Sequence, residues 1–149
     1  NLLFFQGGKD FTNLDLTSMV FQQNLTSKSA LVIKKLESES SLAAQINSSE
    51  WVANIVSDSG ALIELYQVPQ ININRALVQK NCAPWIQFDS SPRAMTSIIA
   101  RDSTVIDNRL PSHSSGFITG KFAELRLEGS LFRQNRPRCS INNADNLTE

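Results

Sequence analysis

The chain has 149 residues, of which 41% are hydrophobic and 19% are charged, and its 14 basic side chains balance its 14 acidic ones. This length and composition predict one domain with a core of its own and argue against global disorder. The longest apolar runs, Leu2 to Phe5 and Ala30 to Ile33, are far shorter than the ~20 residues of a membrane-spanning helix, so no membrane insertion is expected. The balanced charge lacks the clustered Lys and Arg of a nucleic-acid-binding surface, so no nucleic acid partner is expected either.

The residue types that carry out catalysis are sparse. The chain has one His and two Cys, and it contains no spacing typical of a zinc site, a nucleophile elbow or a phosphate-binding loop. His113 lies in a Ser-rich segment after Asp107, but neighbouring residues of an extended chain point to opposite faces, which disfavours a Ser–His–Asp triad. We therefore expect a protein that is not an enzyme, with no catalytic residues, no cofactor and no metal.

Residues 1–28 are predicted to form an N-terminal arm in front of a single β-rich domain over residues 29–149. The arm has an apolar start followed by two glycines, and its later apolar spacing suits a short helix capped by Asp15. An apolar arm of this kind indicates docking, on its own domain or on a neighbouring subunit. The candidate subunit contacts are Leu2, Leu3, Phe4, Phe5 and Phe11.

The next segment, residues 29–49, is ambiguous in pattern. Its consecutive β-branched residues favour a strand over residues 30–36, and a short helix there is the alternative. Residues 41–47 favour a short helix.

From residue 50 onward, short apolar segments alternate with polar turns. Residues 51–56 and 61–66 flank a Ser-Asp-Ser-Gly turn and predict a β-hairpin. Further strands are expected at 71–74, 85–88, 95–100, 104–106, 117–119, 123–127 and 131–132.

From these nine candidate segments we predict an antiparallel β-sandwich of about seven or eight short strands, preceded by an extended or partly helical N-terminal arm. The alternative is an α+β fold with one N-terminal helix on an antiparallel sheet. No internal repeat is recognised in the chain.

The segment 120–129 alternates apolar and charged residues. Glu124, Arg126 and Glu128 share one face of the expected strand, which favours a self-neutralising solvated surface over a pair of catalytic carboxylates. The same ten residues resemble the closing strand of small β-sandwich modules on bacteriophage particles.

The two cysteines, Cys82 and Cys139, are a candidate disulfide. Closing so long a loop would stabilise the fold by roughly 4 kcal/mol in the chain-entropy model. Two unpaired thiols in a reducing compartment are the alternative.

The first functional hypothesis is a structural subunit of a repeating assembly, such as a virion or phage component or a pilus-like filament. Its partners would be copies of itself or other subunits, in an extracellular or virion setting. The second hypothesis is a carbohydrate- or ligand-binding module, in which Trp85 and Tyr66 would contact a glycan, although a core position is favoured for Trp85. The third is a hydrolase whose acidic residues the sequence does not pair.

Overall fold

The computed structural model describes residues 2–36, 42–92 and 95–139, and within these ranges the chain forms strands joined by turns. The strands are β1 (Leu3–Gly7), β2 (Asn13–Thr17), β3 (Val20–Gln22), β4 (Leu25–Thr26), β5 (Leu31–Lys35), β6 (Ala43–Asn47), β7 (Glu50–Val52), β8 (Ile55–Val56), β9 (Ile63–Tyr66), β10 (Gln70–Asn74), β11 (Leu77–Gln79), β12 (Ile86–Asp89), β13 (Thr96–Arg101), β14 (Thr104–Ile106), β15 (Arg109–Pro111), β16 (Ile118–Lys121), β17 (Ala123–Glu128), β18 (Leu131–Arg133) and β19 (Arg136–Cys139).

Each strand pairs in parallel with strands that lie far away along the chain. The first sheet has the order β1-β5-β9-β12-β16, the second β2-β6-β10-β13-β17, and the third β3-β7-β11-β14-β18. A narrow fourth side contains the pairs β4-β8 and β15-β19. Cys82 lies between these pairs and forms an isolated bridge to each of them.

This topology is a parallel β-solenoid, in which the chain winds through all four sides before it stacks on itself. Its five turns are called coils here: coil 1 is β1–β4, coil 2 is β5–β8, coil 3 is β9–β11 with the Cys82 bridge, coil 4 is β12–β15 and coil 5 is β16–β19. The predicted antiparallel β-sandwich is therefore wrong, and so is the alternative with a helix on an antiparallel sheet.

The error concerns pairing more than strand position. Residues 51–66, the predicted hairpin, instead contain β7, β8 and β9 on three successive sides of the solenoid. Each polar turn is a corner that redirects the chain to the next side, so neighbouring segments in sequence do not pair with each other.

The predicted N-terminal arm is coil 1 of the solenoid. The expected helix after Asp15 is replaced by β2 and β3, whose side chains alternate between inside and outside. The helix expected over 41–47 is β6 from residue 43 onward, and residue 41 lies outside the described ranges. A strand of the first coil gains a parallel partner along its whole length, which outweighs weak helix propensity in a short segment.

A repeat that the sequence analysis missed underlies the fold. Equivalent residues of coils 1 and 2 are 30 positions apart, and those of each later pair of coils are 27 apart on the second, third and fourth sides. The loops that enter and leave the first sheet differ in length from coil to coil, and this irregularity hides the period.

The core lies inside the coils, where alternate residues of each strand stack on their equivalents in adjacent coils. Aliphatic side chains fill most of these positions, and Phe21 stacks on Trp51 with ring centroids 4.2 Å apart. On the second sheet the two inward rows are Leu14, Ala44, Ile71, Ile98 and Leu125, and Leu16, Ile46, Ile73, Ala100 and Leu127.

Two corners of every coil contain a residue with a left-handed backbone. At the corner between the second and third sheets φ lies between 50° and 58°, and the residues are Ser18, Ser48, Arg75, Asp102 and Gly129. At the corner before the fourth side they are Gln23, Ala53, Lys80, Asp107 and Gln134. Because only one of these ten residues is glycine, the corners carry no recognisable turn signal in the sequence.

Candidate functional site

A ladder of asparagine side chains runs through the solenoid at the corner before the fourth side. Its members are Asn24, Asn54, Asn81, Asn108 and Asn135, one in each coil. Asn81 shows the repeating geometry: its Oδ1 accepts hydrogen bonds from the backbone N–H and Nδ2 of Asn54, both at 2.9 Å. Its Nδ2 donates to the Trp51 carbonyl at 2.7 Å and to Asn108 Oδ1 at 2.8 Å. All four hydrogen-bonding positions of this buried amide are therefore satisfied.

The ladder has a direction, so its two ends differ. At coil 5, Asn135 Oδ1 accepts two bonds from Asn108 and Nδ2 donates one to the Val105 carbonyl. At coil 1, the backbone N–H and Nδ2 of Asn24 both donate to Asn54 Oδ1. Within the described residues, Asn135 thus keeps unused donors at one end and Asn24 keeps an unused acceptor at the other.

The coil 5 end of the solenoid is an open surface as far as residues 2–36, 42–92 and 95–139 are concerned. Its strands form the last edge of each sheet, and the inward side chains Leu125, Leu127 and Phe132 are 44%, 46% and 38% exposed. Their equivalents in coils 3 and 4 are almost completely buried because a coil covers them on both sides. A sheet edge with exposed apolar residues is a site for pairing with a further strand.

The coil 1 end contains the residues that the sequence analysis proposed as subunit contacts. Leu3 and Phe5 lie in the inward rows of the first sheet, and Leu3 is exposed at the end of its row. Leu2 and Phe4 are exposed as well, whereas Phe11 is half-buried and its carbonyl accepts a hydrogen bond from the buried Lys35 ammonium. These residues belong to the first coil and do not form a separate arm.

A groove of about 540 Å³ lies on the outer face of the first sheet. Its floor includes Lys34, Glu64, Tyr66 and Gln87, which come from three adjacent coils, and the lysine ammonium lies 5.9 Å from the centre of the Tyr66 ring. A smaller hollow of about 350 Å³ shares Glu64, Tyr66 and Gln87 with the groove and adds Asp89. The groove thus combines the aromatic rings of Phe4 and Tyr66 with donors and acceptors of both charges.

Glu64 organises the middle of this groove. Its Oε2 accepts a hydrogen bond from the Ser29 hydroxyl at 2.6 Å, and its Oε1 accepts one from the Tyr66 phenol. The bond to Glu64 is the largest cause that raises the pKa of Tyr66 to about 12, and burial adds to it, followed by the charges of Glu64 and Asp89. The phenol is therefore a fixed, neutral donor at ordinary pH.

The other two sequence candidates lie elsewhere. Trp85, a candidate glycan contact, is fully buried in the core, so only Tyr66 of that pair faces the groove. The ring nitrogen Nε2 of His113 lies 2.6 Å from the Asp58 carbonyl, and no acid or hydroxyl joins it within the part of the chain that the structure describes.

Cys82 and Cys139 form a disulfide on the fourth side, with their Cα atoms 5.8 Å apart. The bond joins coil 3 to coil 5. In the charged segment, Arg126 pairs with Glu124 and Glu128 pairs with Arg101 of the adjacent coil, all with exposed side chains.

Over the described ranges, no group of three or more His, Cys, Asp or Glu side chains is arranged to hold a metal ion. The same ranges contain no helix long and apolar enough to cross a membrane.

The chain matches no family model, no curated protein and no solved structure. The virion and bacteriophage assignment of the sequence analysis therefore has no support from relatives, and the sandwich resemblance on which it drew belongs to a fold that this chain does not have.

Proposed function

We propose that the protein is a non-enzymatic structural subunit of a repeating assembly, in which copies of the chain associate through the ends of the solenoid. One observation carries this proposal: among the described residues, the sheet strands of coil 5 have a partner on one side only, and the inward apolar side chains of this coil are exposed.

A parallel strand edge presents N–H and C=O groups in a fixed register, and it pairs readily with another strand. Leu125, Leu127 and Phe132 supply apolar area that a covering coil would remove from water, at about 25 cal/mol per Å². A stacked solenoid needs a cap or a partner at each end, because a single coil does not bury its own apolar face.

The test is the oligomeric state of the purified chain. Sedimentation velocity over a wide concentration range is expected to show a series of oligomers that grows with concentration. Leu127→Lys, which places a charge on the open end, is expected to shift this series to monomer. The matched control is Met95→Lys, since Met95 is similarly exposed but lies on a loop of coil 4. A monomer at every concentration would contradict the assembly function.

The disulfide supports an extracellular setting for this assembly. Disulfides persist in oxidising compartments and are rare where thioredoxin and glutathione keep thiols reduced. The bond between Cys82 and Cys139 spans three coils, so it would stiffen the half of the solenoid that ends on coil 5.

A second candidate function is glycan binding, and the groove on the first sheet favours it. Glu64 and Gln87 lie in one row parallel to the solenoid axis and offer acceptors and donors. Lys34 and Tyr66 lie in the adjacent row and offer an ammonium group and an aromatic face. An uncharged, linear sugar chain suits a polar groove in which the charges balance.

The glycan candidate is tested by binding to an array of neutral oligosaccharides. Tyr66→Ala is expected to abolish any signal, and Met95→Ala, away from the groove, is expected to preserve it. A signal that survives Tyr66→Ala would exclude the groove as the binding site.

A further inference from the structure

We propose that copies stack head to tail, with coil 1 of one copy laid on coil 5 of another in the same parallel register that joins the coils within one chain. This inference rests on the proposed assembly function and names its partner as a second copy of this chain. In this register β17 pairs with β2 of the next copy, so that Leu125 lies opposite Leu14, and β18 pairs with β3, so that Phe132 lies opposite Phe21.

The two coils that would meet have similar sequences. From the second sheet to the ladder corner, coil 1 reads LDLTSMVFQQN over residues 14–24, and coil 5 reads LRLEGSLFRQN over residues 125–135. The two segments share Leu, Leu, Phe and Asn at inward positions. Coil 1 is therefore shaped as a continuation of the solenoid beyond coil 5, with like side chains stacked in rows as they are inside the molecule.

The direction of the asparagine ladder also suits this junction. Within the chain, the backbone N–H and Nδ2 of each ladder asparagine donate to the Oδ1 of the asparagine in the next coil, as Asn54 does to Asn81. The Nδ2 of that next asparagine donates to a backbone carbonyl of the preceding coil, as Asn81 does to Trp51. At the junction the unused donors of Asn135 would meet the unused Oδ1 of Asn24 in the next copy. The Nδ2 of that Asn24 would meet the carbonyl of Phe132, as Asn54 Nδ2 meets the carbonyl of Phe21. Donors and acceptors at the two ends are therefore complementary.

The outward side chains of the two end coils also match in this register. The same register places Arg126 of one copy opposite Asp15 of the next, both exposed, and it places exposed Leu131 opposite exposed Val20. Arg101 and Glu128, which face each other across coils 4 and 5, show that facing charges on this sheet do pair, at 2.6 Å. An antiparallel or shifted arrangement would not bring these pairs together.

A charge swap tests the register. Arg126→Asp and Asp15→Arg each create a like-charge pair at the junction, so each single variant is expected to raise the dissociation constant of self-association at least about fivefold. The double variant Asp15→Arg/Arg126→Asp recreates the pair in reversed order and is expected to restore wild-type association. The matched controls are Glu50→Arg and Arg109→Asp, which make the same charge changes on exposed residues away from both ends.

The outcomes separate this inference from the assembly function. Weakened single variants with a restored double variant establish the register. A double variant that stays as weak as the singles, or singles that associate like the wild type, would overturn the register while the assembly itself persists. A wild-type chain that remains monomeric would overturn both. Asp15 and Arg126 are exposed, so the variants are expected to keep the far-ultraviolet circular dichroism of the wild type.

Discussion

A single asparagine side chain of the ladder makes several buried hydrogen bonds inside the solenoid, and that of Asn81 makes four. Asn81→Ala removes one buried amide and takes away the acceptor that the backbone N–H and Nδ2 of Asn54 share. Each buried group left unsatisfied costs about 1–3 kcal/mol, so the free energy of unfolding is expected to fall by about 3 kcal/mol in urea denaturation. Asn72→Ala, on the outer face of the same coil, is the control and is expected to change stability by less than about 0.5 kcal/mol. Equal effects of the two substitutions would show that the ladder does not stabilise the fold.

Tyr66 permits a second measurement at the residue scale, because it is the only tyrosine in the chain. Its absorbance on titration is expected to report a pKa of about 12, raised from the ordinary value of 10.0 by its hydrogen bond to Glu64. Since the folded-state pKa is the higher one, this interaction stabilises the fold below pH 10 and is lost as the pH rises through about 12. Glu64→Gln is expected to move the pKa back toward 10.0, whereas Glu124→Gln, far from the phenol, is expected to leave it in place. An unchanged pKa in Glu64→Gln would assign the shift to burial.

At the scale of elements, the disulfide connects coils 3 and 5, which the sheets alone join only through coil 4. The double variant Cys82→Ala/Cys139→Ala releases a loop of 57 residues in the unfolded chain, and it is expected to lower the free energy of unfolding by roughly 4 kcal/mol. Urea denaturation measures the loss, and reduction of the wild type by dithiothreitol is expected to reproduce it. Unfolding curves that do not respond to either treatment would contradict the expectation.

The positions of most elements could be predicted from the sequence, whereas their pairing could not. Alternating apolar and polar residues marked β10 and β17, and a run of β-branched residues marked β5, because strand periodicity is a local property. Whether a strand pairs with its neighbour in sequence or with one 27 residues away depends on the corner geometry. At the corner after β10 the left-handed residue is Arg75, which reads as an ordinary polar turn.

For the candidate sites, too, the sequence predicted some residues and missed others. Tyr66 faces a groove and Leu3 an open end, as a search for exposed aromatic and apolar residues could suggest, but Trp85 lies in the core. The asparagine ladder was missed although its spacing of 27 is visible in the chain from residue 54 onward. Asparagine is common in loops, so one Asn carries no signal, and the ladder is recognised only when the coils are aligned.

For the whole molecule, a stack of coils in which each coil contacts only its neighbours implies a gradient of local stability. The central strands β10 and β11 are covered on both sides, whereas β17 and β18 have a partner on one side within the described residues. In hydrogen exchange at low protein concentration, the amides of β17 and β18 are therefore expected to exchange faster than those of β10 and β11.

Concentration then distinguishes a capped end from an open one. If coil 1 of another copy covers coil 5, raising the protein concentration is expected to slow exchange in β17 and β18 at least about tenfold, because association protects the strands that it covers. The central strands are expected to change little, and Leu127→Lys is expected to remove the concentration dependence at the coil 5 end. Uniform protection over all coils, independent of concentration, would instead mean that the solenoid opens as one unit and that no second copy seals its end.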